Sequence, residues 1–450
     1  MSSSTTLANW WRWLIITTIL LMMVGIRLHQ LEQHAFRGDE AFTVLYWTTT
    51  PLSSDYFDLL KVEPHPIGTL TLYWLWTNAV GTSELAVRLL PTFFNILGGA
   101  VMLSLSYKWG KSWRLALIVG ILWATHPFLV WHAQDARNYA IVTFTAPLTI
   151  YWLWNALEHP QRDISLSVWT PYILAQTLGL YIYLFEGFIV GVGILTISIL
   201  AIQQRTLLKQ AFKVWSIIAL LSMPILIQLY WNVFISDYQG TATASSFSAL
   251  FDTFIPTLWF GDTSTSIAWG GLFTILSVLT LIMTKQRWGL LLGIWAFGPL
   301  LMLYVAASFS NIFRPRYVIH VVPAFLLIAT VGLNTALRQT SLKKFHFSVT
   351  VITAFVILST SWGELYGYFY VDPPKSPDWR ELSAYLEART TSYDTVLSGS
   401  IDPALEYYYS KNITFIPTEM TNPTSLYDQL LAKHDAIYIL IDPRTAPSLP

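Results

Sequence analysis

The chain has 450 residues, no cysteine, and 26 basic against 26 acidic side chains, for a formal net charge of zero. Charged residues make up 12% and hydrophobic residues 54%, where a soluble domain carries about 25% charge, so the composition is that of a polytopic membrane protein. Zero net charge gives no sign of a nucleic-acid partner, and the lack of cysteine excludes disulfides, thiolate chemistry and cysteine metal sites.

Aromatic residues reach 15%, as expected where rings gather in belts at both membrane surfaces. The first nine residues are polar, and Trp10-Trp11-Arg12-Trp13 forms an interfacial anchor ahead of the first apolar run. That run ends without a convincing small-residue cleavage site and reads as a retained signal-anchor. A bilayer crossing takes about 20 apolar residues. Runs of that order lie at 11–31, 85–107, 113–131, 138–157, 168–185, 187–203, 211–231, 266–284, 287–308, 317–337 and 345–365. A twelfth, 66–80, is short and begins with Pro66.

The positive-inside rule sets the sides. With 66–80 as an interfacial or re-entrant helix and the N-terminus inside, the inner loops collect Lys108, Lys111, Arg114, Arg162, Arg205, Lys209, Lys213, Lys285, Arg287, Arg338, Lys343 and Lys344. If 66–80 crosses, all of these move outside. The expected architecture is therefore an all-α polytopic membrane domain over 1–365, with about eleven spans, the N-terminus in and the C-terminus out. Residues 366–450 are more polar and proline-bearing, and read as a small soluble α/β domain. It has helices at 378–389, 402–410 and 425–433, and strands at 394–398, 412–416 and 436–441. Asn412-Ile413-Thr414 also fits a glycosylation sequon.

This topology puts the unusual polar clusters on the outer face, in 32–84, 126–138, 232–265 and the tail. Arg37-Gly38-Asp39-Glu40 follows the first span directly, where ionised groups are expensive unless paired or used; the bland alternative is a solvated turn. Lys61-Val62-Glu63-Pro64-His65-Pro66 holds a lysine and a histidine in a stiff approach to the short helix. There Lys61 suits phosphate as a point charge, and His65 suits phosphate or a metal. Glu84 and Arg88 are four apart on one helix face and read as a self-pairing salt bridge. Gln134, Asp135, Arg137 and Tyr139 crowd one short loop, and Asp135 with Arg137 either neutralise each other or join a convergent site. Glu186 sits at a tight bend, as a site residue or a water-facing one. The 232–265 loop, with Asp237, Asp252 and Asp262 among aromatics, suits a flexible cover. Arg314 and Arg316, beside Tyr317, break the positive-inside rule. Arginines placed so have an anion to bind, a lipid headgroup or a substrate phosphate, which the guanidinium fork matches.

In this order the segments resemble the GT-C superfamily of polytopic glycosyltransferases, in the branch of protein O-mannosyltransferases and lipid A aminoarabinose transferases. The resemblance rests on Asp39-Glu40-Ala41, His65-Pro66, Glu84 with Arg88-Leu89 and Pro91, Gln134-Asp135-Ala136-Arg137-Asn138-Tyr139, Arg316-Tyr317 with Pro323, and Asp378-Trp379-Arg380. The sequence departs from the family where a single proline follows His65 and where Glu186 stands at a bend that often carries histidine. The family implies an inverting transferase in the plasma (inner) membrane, moving a sugar from a polyprenyl-phosphate donor to a hydroxyl acceptor on the outer face. Asp39, with Glu40 as its alternate, is then the general base, and Asp135 orients the acceptor or holds Arg137. Lys61, His65, Arg137, Tyr139, Arg314, Arg316 and Tyr317 bind substrate, and the leaving phosphate needs cations or a divalent metal, for which His65 and Glu186 are candidate ligands. The rival readings are a polysaccharide polymerase or ligase, and a transporter for a lipid or anion; a transporter would place its polar groups near the midplane of two related halves.

Overall fold

The computed structural model describes residues 3–158, 166–202, 204–236, 242–261, 266–372, 374–391, 393–398, 402–411, 413–415 and 437–440. Among these, seven helices are long and apolar enough to cross a membrane: Trp10–Leu28, Glu84–Gly110, Tyr139–Glu158, Leu184–Ala201, Arg287–Ala306, Pro315–Arg338 and His346–Tyr370. Two bent pairs bring the number to nine if each is one span: Trp113–Thr125 with Pro127–Ala133, bent by 58°, and Thr206–Leu221 with Met223–Phe234, bent by 66°. Length and composition thus support seven to nine spans where eleven were expected. The other two expected spans are the helices Leu166–Ile182 and Ser266–Met283, of 17 and 18 residues. At 1.5 Å per residue each is about 26 Å long, short of a hydrocarbon core of about 30 Å. The helix at Ile67–Val80 has only 14 residues after its N-cap Pro66, so it is far shorter than a crossing.

Proline explains the bends. Pro127 and Pro224 stand in the first turn of the second helix of each pair, where a missing N–H and a steric clash end the helix before them. The carbonyls freed at the first bend have a partner. Arg27, fully buried in the first helix, donates from Nη2 to Trp123 O and from Nη1 to Ala124 O, both at 3.1 Å. Its Nε donates to Asn95 Oδ1 at 2.6 Å. An arginine inside a span is expensive unless satisfied, and here it caps a broken helix. Helices Glu84–Gly110 and Tyr139–Glu158 approach closely through a small residue, as membrane helices do: a Cβ on Gly98 would lie 2.5 Å from Thr143 O.

Within 232–265 the described residues include ordered helical turns. The helix Ile255–Phe260, buried along its whole length, is preceded by a π-turn at Leu250–Phe254 that carries Asp252. Asp237 and Asp262 lie outside the described residues, as do Arg162, Asn412 and the helix expected at 425–433. In the tail, helix Trp379–Glu387 and helix Pro403–Tyr408 accompany three strands, β1 (Thr395–Ser398), β2 (Ile413–Phe415) and β3 (Ile437–Leu440). They form a parallel sheet in the order β2-β1-β3, with Val396 opposite both Ile413 and Tyr438.

The tail does not hang free of the helical body. Ser376 Oγ donates to Phe36 O at 3.0 Å, Arg380 pairs with Glu84 at 2.9 Å, and Tyr46 OH donates to Glu406 at 3.0 Å. Tyr408 OH accepts from Phe36 N at 2.8 Å and donates to Glu84. Gly38 touches the tail so closely that a Cβ there would lie 2.8 Å from Asp402 Oδ1.

Candidate active site

The helix Gly38–Tyr46 starts the site. Arg37 is its extended N-cap, and Glu40, in the first turn, accepts from the Arg37 backbone N–H at 3.1 Å, closing the start of the helix as capping boxes do. Glu40 is completely buried. Arg88 grips it with Nε on Oε1 and Nη2 on Oε2, both at 2.8 Å, and Ala136 N–H donates to Oε1 at 2.9 Å. The remaining N–H groups of Arg88 reach the carbonyls of Leu31, His34 and Ala35 at 2.8, 2.9 and 3.2 Å. Glu40 therefore ties three stretches of chain together with its lone pairs filled, which leaves it no capacity as a base. The expected Glu84–Arg88 self-pair does not form. Arg88 turns inward to Glu40, and Glu84 turns outward to Arg380 and Tyr408.

Asp39, one residue earlier, faces the other way. Its side chain is 44% exposed, with Arg316 Nη1 at 3.5 Å and Arg37 Nη2 at 4.0 Å. Arg137 Nη1 donates to its main-chain carbonyl at 3.1 Å. Partial burial opposes ionisation of Asp39, but the charges of Arg137, Arg316 and Arg37 outweigh it and hold the carboxyl below its usual range. Asp135 is wholly buried. It does not neutralise Arg137; its Oδ1 accepts from Arg37 Nη2 at 2.7 Å, and its Oδ2 lies 3.9 Å from His132 Nδ1. Arg37 thus spans the two aspartates.

The guanidinium carbon of Arg137 lies over the Trp47 ring, 4.2 Å from its centre, and Arg137 donates to Thr43 Oγ1 at 3.2 Å and to His65 Nε2 at 3.1 Å. The other ring nitrogen of His65 donates to Glu63. Burial, and then the Arg137 charge, keep His65 below its ordinary pKa despite the pull of Glu63. Both nitrogens being engaged, His65 is a neutral spacer that orients Arg137. Glu186 is buried and bonded to Thr145 Oγ1, and among the described residues no three His, Asp or Glu side chains form a group able to hold a metal. The donor set does not fit the divalent-metal expectation for His65 and Glu186. Lys61 is also apart from the cluster, exposed on helix Ser54–Val62 and paired with Asp58 at 2.5 Å.

On the opposite wall, Arg316 lies 5.3 Å from the Tyr139 ring centre and 5.7 Å from that of Tyr317. Tyr317 stacks on Phe185 at 5.0 Å and on Tyr139 at 6.4 Å. Arg314 and Arg316 both line a cavity of about 430 Å³, with Trp131, His132, Tyr368 and Lys375. The structure therefore brings together Asp39, Asp135, His65, Arg137, Tyr139, Arg316 and Tyr317, with Arg314 on the adjoining cavity. Sequence reasoning missed Tyr368 and Lys375, at the end of the last helix and just beyond it, because that stretch was assigned to a separate tail. The signal was a lysine ten residues past the expected outer end of the last span at 365, on the face where positive charge is unusual.

No protein-family model matches the chain, and no curated protein matches it by sequence. Solved structures do match its shape. ArnT from Cupriavidus metallidurans, in the apo state and again bound to undecaprenyl phosphate, aligns with a TM-score of 0.62 at 14% identity, over 96% of this chain and 90% of that one. The Archaeoglobus fulgidus oligosaccharyltransferase AglB, in complex with an inhibitory peptide and a dolichol-phosphate, aligns at 0.61 and 10% identity, over 91% of this chain and 65% of that one. The mycobacterial arabinofuranosyltransferase AftD aligns at 0.54 and 13% identity, over 90% of this chain and 31% of that one. These are GT-C superfamily membrane glycosyltransferases, and the chain has their fold.

Proposed function

We propose that the protein is an inverting glycosyltransferase that moves a sugar from a polyprenyl-phosphate donor to a hydroxyl acceptor at the extracytoplasmic face of a plasma (inner) membrane. The observation that carries this reading is a half-exposed carboxylate, Asp39, ringed by three arginines at the loop end of a helical membrane body. An acid for the acceptor and cations for a phosphate leaving group meet at one rim. The polyprenyl class is supported by the similar folds captured with undecaprenyl phosphate and dolichol-phosphate. The outer face follows from the distribution of lysine and arginine among the loops.

In this reading the acceptor oxygen attacks the anomeric carbon while Asp39 takes its proton. The bond from that carbon to the phosphate oxygen breaks, its electron pair leaves with the phosphate, and Arg316 and Arg314 stabilise the charge that develops. Attack opposite the leaving group inverts the anomeric centre. The low pKa of Asp39 in the free protein makes it a weak base, but a bound phosphate draws the Arg316 charge away from the carboxylate. Basicity then rises when the donor is in place. Asp135 acts through Arg37, which it fixes beside Asp39, and His65 acts through Arg137.

The decisive test is Asp39→Asn in nanodiscs supplied with labelled polyprenyl-phosphate sugars and a panel of hydroxyl acceptors. Loss of transfer with donor binding kept supports the mechanism; full transfer by the variant sinks it, and retention of the donor's anomeric configuration in the product would overturn the single displacement.

A further inference from the structure

Lys375 stands just beyond the last helix, His346–Tyr370, in the segment that leads to the tail. Its ammonium is fixed by two backbone carbonyls, Trp131 O at 2.8 Å and Gln134 O at 3.2 Å. Two rings flank it, Trp131 at 4.3 Å and Tyr368 at 5.3 Å. The carbonyls take two of the three N–H donors of an ammonium, and among the described residues no carboxylate forms an ion pair with it. Burial pushes its pKa down to about 7, against the pull of Asp135 and Glu40. A lysine held this firmly without a counter-ion is costly in the free protein.

The cavity it lines explains the arrangement. Arg314 and Arg316 line the same space of about 430 Å³, near the lower end of the roughly 300–1,000 Å³ typical of small-molecule pockets. Arg316 has a buried Nε with no partner among the described residues and is shared with Asp39. Two carboxylates, Glu364 and Asp372, also border the cavity, but neither forms an ion pair with Lys375 within 4.0 Å. Three cations from two distant parts of the chain converge on one space next to the candidate base.

We infer that Lys375 is a ligand for a phosphate group in this cavity, so that the segment after the last helix completes the active site. The inference rests on the transferase reading and adds to it a residue from a part of the chain that reading does not use. The phosphate has two chemical sources, the isoprenyl phosphate of the donor and product or a phosphate carried by the acceptor, and both present the same doubly or singly charged oxygens. Lysine serves as a point charge for such groups, while Arg314 and Arg316 supply planar forks.

The test uses the full chain in nanodiscs and two probes, a short-chain isoprenyl monophosphate and a hexose 6-phosphate, with binding measured by titration calorimetry. Lys375→Met is expected to weaken one or both about tenfold to a hundredfold, the range for a lost charged hydrogen bond, and Lys375→Arg to retain most of the affinity. Weakening of the isoprenyl probe alone assigns the donor or product phosphate; weakening of the hexose phosphate alone assigns an acceptor phosphate. Lys375→Gln separates charge from scaffolding, because it keeps a donor for the two carbonyls. If Lys375→Gln binds as the wild type does, the lysine merely holds the Trp131–Gln134 turn and the inference falls. Equal affinity of Lys375→Met and wild type for both probes also overturns it. Wild-type protein that binds neither probe removes the transferase reading together with the inference.

Discussion

Asp39 and Glu40 are neighbours in one helical turn, yet they build two different regions. Around Glu40 every polar group has its partner: two arginine nitrogens, two backbone N–H groups, and three carbonyls on the far side of Arg88. Around Asp39 the partners are long, at 3.5 and 4.0 Å, and nearly half the side chain is open. A buried carboxylate saturated with hydrogen bonds is a structural anchor, because any movement strands charges in a low dielectric. A carboxylate among cations that do not fully engage it is available for chemistry. The difference also explains why the helix is stable where it carries an open acid: the clamp one residue on fixes its first turn.

Breaking the clamp has the largest expected effect. Glu40→Ala leaves Arg88 buried without its counter-ion, a loss of about 3–5 kcal/mol, seen as a collapse in the yield of folded protein or a large drop in thermal midpoint. Arg88→Ala should do the same, and the double variant should lose clearly less than the sum, because each single change already destroys the pair. Additive losses would show that the two residues do not act as one unit.

Asp39→Asn should separate the two regions by readout. Transfer is expected to fall about 10²–10⁴-fold, while the stability stays within the roughly ±0.5 kcal/mol usual for a surface change. A drop in stability comparable to that of Glu40→Ala would mean that Asp39 belongs to the clamp after all.

Arg316→Gln sharpens the same contrast through pH. Arg316 is one of the three arginines holding the Asp39 carboxyl below its ordinary range against the effect of burial. Removing a cation destabilises the ionised form, so the pKa rises. The acid limb of the pH–rate profile is expected to move to higher pH in Arg316→Gln, with a lower plateau from the lost phosphate contact. A plateau loss with an unmoved acid limb would assign Arg316 to phosphate alone and free Asp39 from its influence.

The sequence made the membrane class and the chain positions of the rim legible because both are written locally: long apolar runs, and charges placed where a span should meet headgroups. Asp39, Arg137 and Arg316 were legible for that reason. Partner choice was not. Arg88 lies four residues from Glu84, the spacing of a helical ion pair, but the helix is buried on the side that faces Glu40, and desolvated charges outcompete an exposed pairing at the rim. The number of spans was obscured by prolines inside apolar runs, which turn one hydropathy peak into two short helices at 58° and 66°. Lys375 was hidden by a change of composition. The onset of prolines after Tyr370 marks the end of a span, but Ser376, Arg380 and Tyr408 then bind the following segment back onto Phe36 and Glu84, contacts that no local pattern announces.

The smallest effect is expected at Lys61, and it tests how far the rim extends. By sequence Lys61 is as good a phosphate ligand as any cation in the first loop, sitting four residues before His65. The structure puts it on the outward face of helix Ser54–Val62, 53% exposed and three residues from its partner Asp58. An exposed pair of this kind contributes about 0.2–1 kcal/mol at most and is screened by salt. Lys61→Ala should therefore leave transfer within about twofold of wild type and move the thermal midpoint by no more than an ordinary surface substitution. A rise in KM for the donor, absent at high ionic strength, would show instead that Lys61 acts at a distance by drawing the anionic lipid toward the rim. The ring of arginines would then be the inner part of a wider electrostatic funnel beginning at this helix.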